Sequence, residues 1–303
     1  MAEIAVNIAG LKMKNPVMVA SGTFGSGKDY EDFININDIG ALIVKSITLK
    51  PREGNPPPRI CETPSGMLNT IGLQNLGIDA FIKDDLPYLA KFKVPVIVNI
   101  AGESVDEYAQ LAKRLDGLAG ISGIEVNISC PNVKQGGMQF GIDPKLTAEV
   151  ISAVKRSIKL PVIAKLSPNV TDIKVIAKAA EIAGADAISA INTVLGMAID
   201  INSRRPRLSM GIGGLSGPAI KPIAVRMVHE IYKTVKIPVI GIGGIMNADD
   251  AVEFILAGAS AIQVGTGNFI NPRAAVEIAE GIKKYLIANK IESIKDLVGQ
   301  IKA

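Results

Sequence analysis

Eight short apolar runs in this chain each give way to residues able to bind or catalyse. These are Ser21, Lys45 with Ser46, Asn99, Asn127, Lys165, Asn192 with Thr193, Gly243 with Gly244, and Gly265 with Thr266. Two lysines supply positive charge, and the amides and hydroxyls supply both donors and acceptors. No carboxylate stands among them. Such a set suits an anionic ligand that makes many hydrogen bonds. The last two positions belong to Gly241-Ile242-Gly243-Gly244 and Gly265-Thr266-Gly267, each opening onto a helix-like stretch. Glycine at a helix start frees backbone N–H groups to hold phosphate. The glycines alone also fit a tight turn without ligand, and phosphate alone fits many enzymes, including isomerases and synthases of phosphorylated sugars.

Other chemistry is excluded by scarcity. Cys61 and Cys130 are the only cysteines and show no Cys-x-x-Cys or Cys/His spacing. A disulfide framework, a zinc site or an iron–sulfur site is therefore not expected from this chain, and the expected compartment is reducing. His229 is the sole histidine, set in the helical run Val225-Arg226-Met227-Val228-His229-Glu230, where it reads as an ordinary helix residue. Ser-His-Asp chemistry and multi-histidine metal sites are thereby disfavoured, and no metal is expected. Lys+Arg 33 against Asp+Glu 29 gives a net charge of +4 without any basic run, so nucleic acid is not an expected partner. The amino terminus has no basic region followed by an apolar stretch, and no segment offers roughly 18 uncharged apolar residues. A cytoplasmic protein without membrane attachment is expected.

The elements that must position these residues follow from the runs themselves, at 17–20, 41–44, 96–98, 124–126, 162–164, 187–191, 239–242 and 261–264. Nearly continuous β-branched runs are the mark of strands buried on both faces, as in a parallel sheet covered by helices. Lys93-Val94-Pro95-Val96, Lys159-Leu160-Pro161-Val162 and Lys236-Ile237-Pro238-Val239 introduce three of them, and proline suits a strand's first position. Helix starts lie between the runs at Ser104 with Glu107, Asp143-Pro144, Thr171-Asp172, Asn247 with Asp249 and Asp250, and Asn271-Pro272. Eight β-then-α units predict an α/β fold, a (β/α)8 TIM barrel, formed by residues 1–303 as one domain; a doubly wound open sheet is the rival. In a barrel the strand-end residues converge on one mouth. Two connections are too long for plain turns: Ile47 to about Asn75, after the second strand, and Val194 to Ser216, after the sixth. Both are read as structureless lids or binding loops on the mouth face. The stretch 131–141 after the fourth strand, with Gly136, Gly137 and Gly141, has the composition of an active-site loop, and 291–303 reads as a short closing helix.

The segment Asn127-Ile128-Ser129-Cys130-Pro131-Asn132-Val133-Lys134-Gln135-Gly136-Gly137 carries a resemblance. With Val44-Lys45-Ser46-Ile47-Thr48, Asn69-Thr70-Ile71-Gly72-Leu73-Gln74-Asn75, Val98-Asn99-Ile100, Ala164-Lys165-Leu166-Ser167-Pro168, Ile191-Asn192-Thr193, Ser216-Gly217-Pro218 and both glycine turns, it resembles the dihydroorotate dehydrogenases of class 1B. The likeness runs from Val17 to about Thr266. It implies that Ser21, Lys45, Ser46, Asn99, Asn127, Lys165, Ile191, Gly217, Gly243, Gly244, Gly265 and Thr266 bind FMN. It implies that Lys45, Asn69, Thr70, Ile71, Gly72, Leu73, Asn127, Asn132, Asn192 and Thr193 bind substrate. Asparagine suits a ring with two carbonyls and two N–H groups, and lysine suits its carboxylate.

The implied reaction is oxidation of (S)-dihydroorotate to orotate, a step of de novo pyrimidine (UMP) biosynthesis. A proton leaves the carbon alpha to a ring carbonyl and a hydride leaves the carbon bearing the carboxylate. The resemblance makes Cys130 the base and Lys165 the group that stabilises negative charge on the reduced flavin. Class 2 relatives use serine as base and carry an amino-terminal membrane segment; neither is seen here. Class 1B enzymes pass electrons to NAD through a partner subunit holding FAD and a [2Fe-2S] cluster, which this chain cannot supply, and a homodimer core within a heterotetramer is the implied assembly. The pyrimidine-reducing domain of dihydropyrimidine dehydrogenase is a neighbouring alternative, but that family continues Cys-Pro-His where this chain has Cys130-Pro131-Asn132. A non-catalytic phosphate-binding barrel subunit is the alternative of another class.

Overall fold

The computed structural model describes residues 2–129, 131–132 and 138–302, with residues 131, 132, 138 and 139 described by their backbone. Eight parallel strands close into a barrel: β1 (Val17–Val19), β2 (Ala41–Ile47), β3 (Val96–Ile100), β4 (Gly123–Asn127), β5 (Val162–Leu166), β6 (Ala187–Ala190), β7 (Val239–Ile242) and β8 (Ala261–Val264). Each pairs with its neighbours in sequence, and β8 returns to β1 through Gln263 opposite Met18. The open sheet is thereby excluded. All eight predicted runs are strands, because β-branched and alanine side chains pack on both faces of the sheet; Val17, Val98, Ile124, Val162, Ile188 and Ile262 are fully buried.

Helices lie outside, and side chains start them where the sequence predicts. Ser104 accepts from Glu107 N to open α1 (Val105–Leu115), and Asp143 accepts from Lys145 N and Leu146 N to open α2 (Pro144–Ser157). Asp172 caps α3 (Ile173–Ile182); α4 (Lys221–Thr234) follows β6, and Asn247 caps α5 (Ala248–Leu256). Each such bond satisfies a backbone N–H that the helix leaves free. Asn271 instead accepts from Arg273 N in the turn before α6 (Ala274–Ala288).

Two expectations are corrected and one element is added. The long connections are not structureless: Ile60–Thr63 and Gly66–Asn69 from the first join Val194–Met197 and Ile212–Ser216 from the second in one four-stranded antiparallel sheet. The two connections join across roughly 145 residues of chain, as in Asn69 opposite Gly214, so nothing local in the sequence announces the four-stranded sheet, although Ile60–Thr63 and Gly66–Asn69 form a tight hairpin within it. The carboxyl-terminal stretch forms only a 3₁₀ turn, Ile294–Leu297, fixed by Ser293 and Asp296. A hairpin the sequence reading overlooked, Val6–Ile8 with Leu11–Met13, brings Leu11 against the amino end of β4 at Gly123 and so closes the barrel floor. Among the described residues no helix is long and apolar enough to cross a membrane.

Candidate active site

Alternate residues of a strand face the same side, so Glu125 and Asn127 of β4 both face the barrel interior. Register sets Asn99 beside Glu125, and Asn127 beside Lys165, which in turn stands beside Ser189. Glu125 is fully buried and accepts from Asn99 Nδ2 at 2.6 Å, Ser189 Oγ at 2.8 Å and Gln263 Nε2 at 2.7 Å. Lys165 Nζ lies 3.6 Å from Glu125 Oε1 and 3.4 Å from Ser21 Oγ. Ser46 Oγ donates to Asn99 Oδ1. Four predicted positions (Ser21, Ser46, Asn99, Lys165) are therefore linked around Glu125 in one polar layer beneath the mouth, with Asn127 beside Lys165 in register.

A second group forms at the ends of β6, β7 and β8. Thr266 Oγ1 donates to Ser216 Oγ at 2.7 Å, one residue before Gly217. A Cβ on Gly244, at φ +76, would lie 2.8 Å from Lys221 Cβ and 2.9 Å from Gly217 O; one on Gly243, at φ +130, would lie 2.8 Å from Ala224 Cβ and 3.5 Å from Ile191 Cγ1. Only glycine lets this turn back so closely onto the start of α4. Among the described residues the backbone N–H groups of Gly243, Gly244, Gly265 and Thr266 donate to no protein acceptor. Free backbone donors at the starts of helices are the groups with which proteins hold anions. The salt bridges of Lys221 to Asp250 and Glu253, both 2.7 Å, together with Asp250 accepting from Met246 N at 2.9 Å, hold the turn from behind. These bonds raise the Lys221 pKa above the ordinary lysine value, so the clamp stays charged.

The mouth side completes the constellation. Asn192 Nδ2 donates to Ser129 Oγ at 2.9 Å and approaches Asn127 Oδ1 at 3.3 Å, while Asn192 Oδ1 accepts from Thr193 N. Tyr108 of α1 donates to Asn127 O at 2.6 Å. Asn69 Nδ2 donates to Gly214 O at 3.0 Å, and a Cβ on Gly214 would collide with Thr193 Oγ1, so Asn69 and Thr193 meet around one glycine. Thr70, Ile71, Gly72 and Leu73 are held within the long connection by Asn55, whose side chain donates to Thr70 and whose N–H donates to Ile71 O, and by Asn75, which donates to Leu73 O. Lys45 is exposed beside Ser46; partial desolvation, then the Arg59 guanidinium, lowers its pKa below the ordinary lysine value. Cys130 and residues 133–137 lie outside the described residues, as does the side chain of Asn132.

The strand-end reading missed Glu125, Ser189 and Gln263, which stand one layer below the mouth, and Tyr108 and Ser216, which hold the mouth's backbone. Strand parity could have found Glu125: a carboxylate two residues before Asn127, inside an apolar run, can face only the barrel interior. No sequence signal marks Tyr108, which reaches Asn127 from a neighbouring helix.

Fold and site together define a (β/α)8 barrel with unpartnered backbone donors at the ends of β7 and β8 and an amide-rich mouth. A family model described as dihydroorotate dehydrogenase matches residues 3–286, and the chain belongs to that family of oxidoreductases. It is 58% identical over 299 residues to the dihydroorotate dehydrogenase B (NAD(+)) catalytic subunit of Citrifermentans bemidjiense, covering 99% of this chain and 98% of that one. It is 59% identical over 295 residues to the protein of the same name from Desulforudis audaxviator, covering 97% and 96%. The like-named protein of Thermoanaerobacter sp. is 56% identical over 299 residues, with 99% of each chain covered.

Proposed function

We propose that this chain, as one FMN-binding barrel domain, oxidises (S)-dihydroorotate to orotate in pyrimidine biosynthesis and passes the electrons toward NAD through a partner subunit bearing FAD and a [2Fe-2S] cluster. The observation that carries the reading is the meeting, at one barrel mouth, of the four free N–H groups at 243–244 and 265–266 with the buried layer around Lys165. The residues fit FMN: the glycine cradle suits its phosphate, and Asn99, Asn127, Lys165, Ser21 and Ser46 present the donors and acceptors its ring system needs. The names of the relatives support the substrate, the NAD linkage and the existence of a further subunit.

FMN bound in this site supplies a two-electron acceptor for the hydride. In this reading Cys130 takes the proton from the carbon alpha to the ring carbonyl, which requires its thiolate. Lys165 places positive charge where negative charge builds up, a contact of the kind worth roughly 2.7–4 kcal/mol in other enzymes. Asn127, Asn192, Asn132 and Thr193, with Asn69 to Leu73, hold the substrate ring; Lys45 pairs with its carboxylate. Two such chains form the core of a heterotetramer with the partner subunits, in the cytoplasm.

Anaerobic mixing of purified protein with dihydroorotate tests the reading. The protein should be yellow and its flavin absorbance should bleach on mixing. Colourless protein, or flavin unchanged by dihydroorotate, would reject it.

A further inference from the structure

We propose that Glu125 is the positioning residue for Lys165: a buried carboxylate that fixes the lysine's ammonium and balances its charge at the barrel's mouth. This rests on the reading of Lys165 as the group that stabilises the reduced flavin. The interior of such a barrel is ordinarily filled by branched apolar side chains, and Glu125 stands there between Ile124 and Val126, which alternate to the other face of β4. A fully buried carboxylate is costly to desolvate unless it is paired and fully hydrogen-bonded. Glu125 meets both conditions. Three strands converge on it, through Asn99 of β3, Ser189 of β6 and Gln263 of β8, while β5 brings Lys165 Nζ to 3.6 Å.

Those three donors hold the carboxylate in place, and its charge holds the ammonium. An ammonium has three N–H donors. With Glu125 and Ser21 as the protein groups near it, Lys165 retains a donor for a ligand at the mouth. Asn99, a predicted flavin contact, is tied to the same carboxylate through its Nδ2 and to Ser46 through its Oδ1. Glu125 thus orients two ligand-facing groups without reaching the ligand itself. Gln263 turns its Nε2 to the carboxylate at 2.7 Å, while its buried Oε1 has no partner among the described residues.

The test is a double-mutant cycle on the full chain with two readouts. Lys165→Met alone leaves Glu125 buried without its counter-ion and should lower the melting temperature by about 6 °C or more. Glu125→Gln combined with Lys165→Met should recover most of that loss, because the pair leaves together. This readout needs no flavin, so it decides the pairing even if the chain proves not to bind FMN. The second readout is the midpoint potential of bound flavin. Glu125→Gln should raise it by about 30 mV or more, equivalent to a tenfold shift of a two-electron equilibrium, because the Lys165 charge is no longer balanced. Additive losses of stability, or a flavin potential unchanged or lowered in Glu125→Gln, would overturn the proposal. If Glu125→Gln does not fold, Glu125→Asp takes its place in the cycle with a smaller coupling expected, and additivity again overturns it.

Discussion

Asn192 Nδ2 donates to Ser129 Oγ at 2.9 Å, which ties the end of β6 to the residue before the proposed base. The same amide lies 3.3 Å from Asn127 Oδ1, and its own oxygen accepts from Thr193 N. Three predicted substrate contacts therefore share one side chain's orientation. Asn192→Ala should leave flavin content unchanged and weaken orotate binding about two- to tenfold, the usual worth of one neutral hydrogen bond. The perturbation of the flavin spectrum on titration with orotate measures this; unaltered affinity would remove Asn192 from the substrate site.

The glycine cradle gives a pair of contrasting variants. Gly244→Leu meets Lys221 Cβ and Gly217 O at under 3 Å in a left-handed backbone, so it should strip the flavin and also destabilise the fold. Gly265→Ala is different, since its Cβ would meet only Ala20 Cβ, at 3.6 Å. It should fold normally yet hold FMN about fivefold or more weakly, by crowding the ligand and not the protein. Full flavin content after gel filtration of both variants would put the phosphate elsewhere.

Lys45 supplies a pH signature. Its pKa is lowered by desolvation and then by Arg59, and only the ammonium can pair with a carboxylate. Affinity for orotate should be level below that lowered pKa and fall as pH rises through it, by up to tenfold per unit, because the bound anion restores the charged form. Lys45→Met should bind more weakly and lose this dependence. A wild-type affinity that stays flat across the alkaline range would exclude the pairing.

The barrel was legible because each strand is buried on both faces, so its apolar run carries the whole signal; the runs at 239–242 and 261–264 coincide with β7 and β8. The polar positions near the strand ends were legible for the same reason, since Asn99, Asn127 and Lys165 interrupt or close such runs. What escaped was non-local. Asn69 pairs with Gly214, and Tyr108 reaches Asn127 from another element; neither partner announces the other in sequence. Glu125 escaped because the search stopped at strand ends, although the alternation of strand residues turns it to the same interior face as Asn127.

Lys165→Ala should slow flavin reduction by about tenfold or more even at saturating FMN, because it removes positive charge where negative charge develops. It also leaves Glu125 uncompensated, so its melting temperature should fall while that of Ser21→Ala, which removes only the 3.4 Å contact, should change little. Stopped-flow reduction by dihydroorotate measures the first effect. A wild-type rate in flavin-saturated Lys165→Ala would refute the assignment.

Cys130 separates the proposed mechanism from any phosphate-binding barrel. A thiol of reference pKa about 8.5 is mostly protonated at neutral pH, and only the thiolate can take the proton from dihydroorotate. Flavin reduction should therefore accelerate as pH rises toward the thiol's pKa, a rise opposite in sign to the alkaline loss of orotate affinity expected from Lys45. Cys130→Ser should keep FMN and orotate binding while slowing reduction about 10²-fold or more, the usual worth of a positioned base. Cys61 is the internal control. It sits half-buried in the strand Ile60–Thr63, its thiol directed to Glu62 O at 3.3 Å and paired in register with Leu68. Its strand is the outer edge of the four-stranded sheet and Cys61 makes none of the proposed contacts, so Cys61→Ser should reduce its flavin at the wild-type rate with the wild-type pH profile. Loss of reduction in Cys61→Ser, with Cys130→Ser unimpaired, would show that the base has been misassigned.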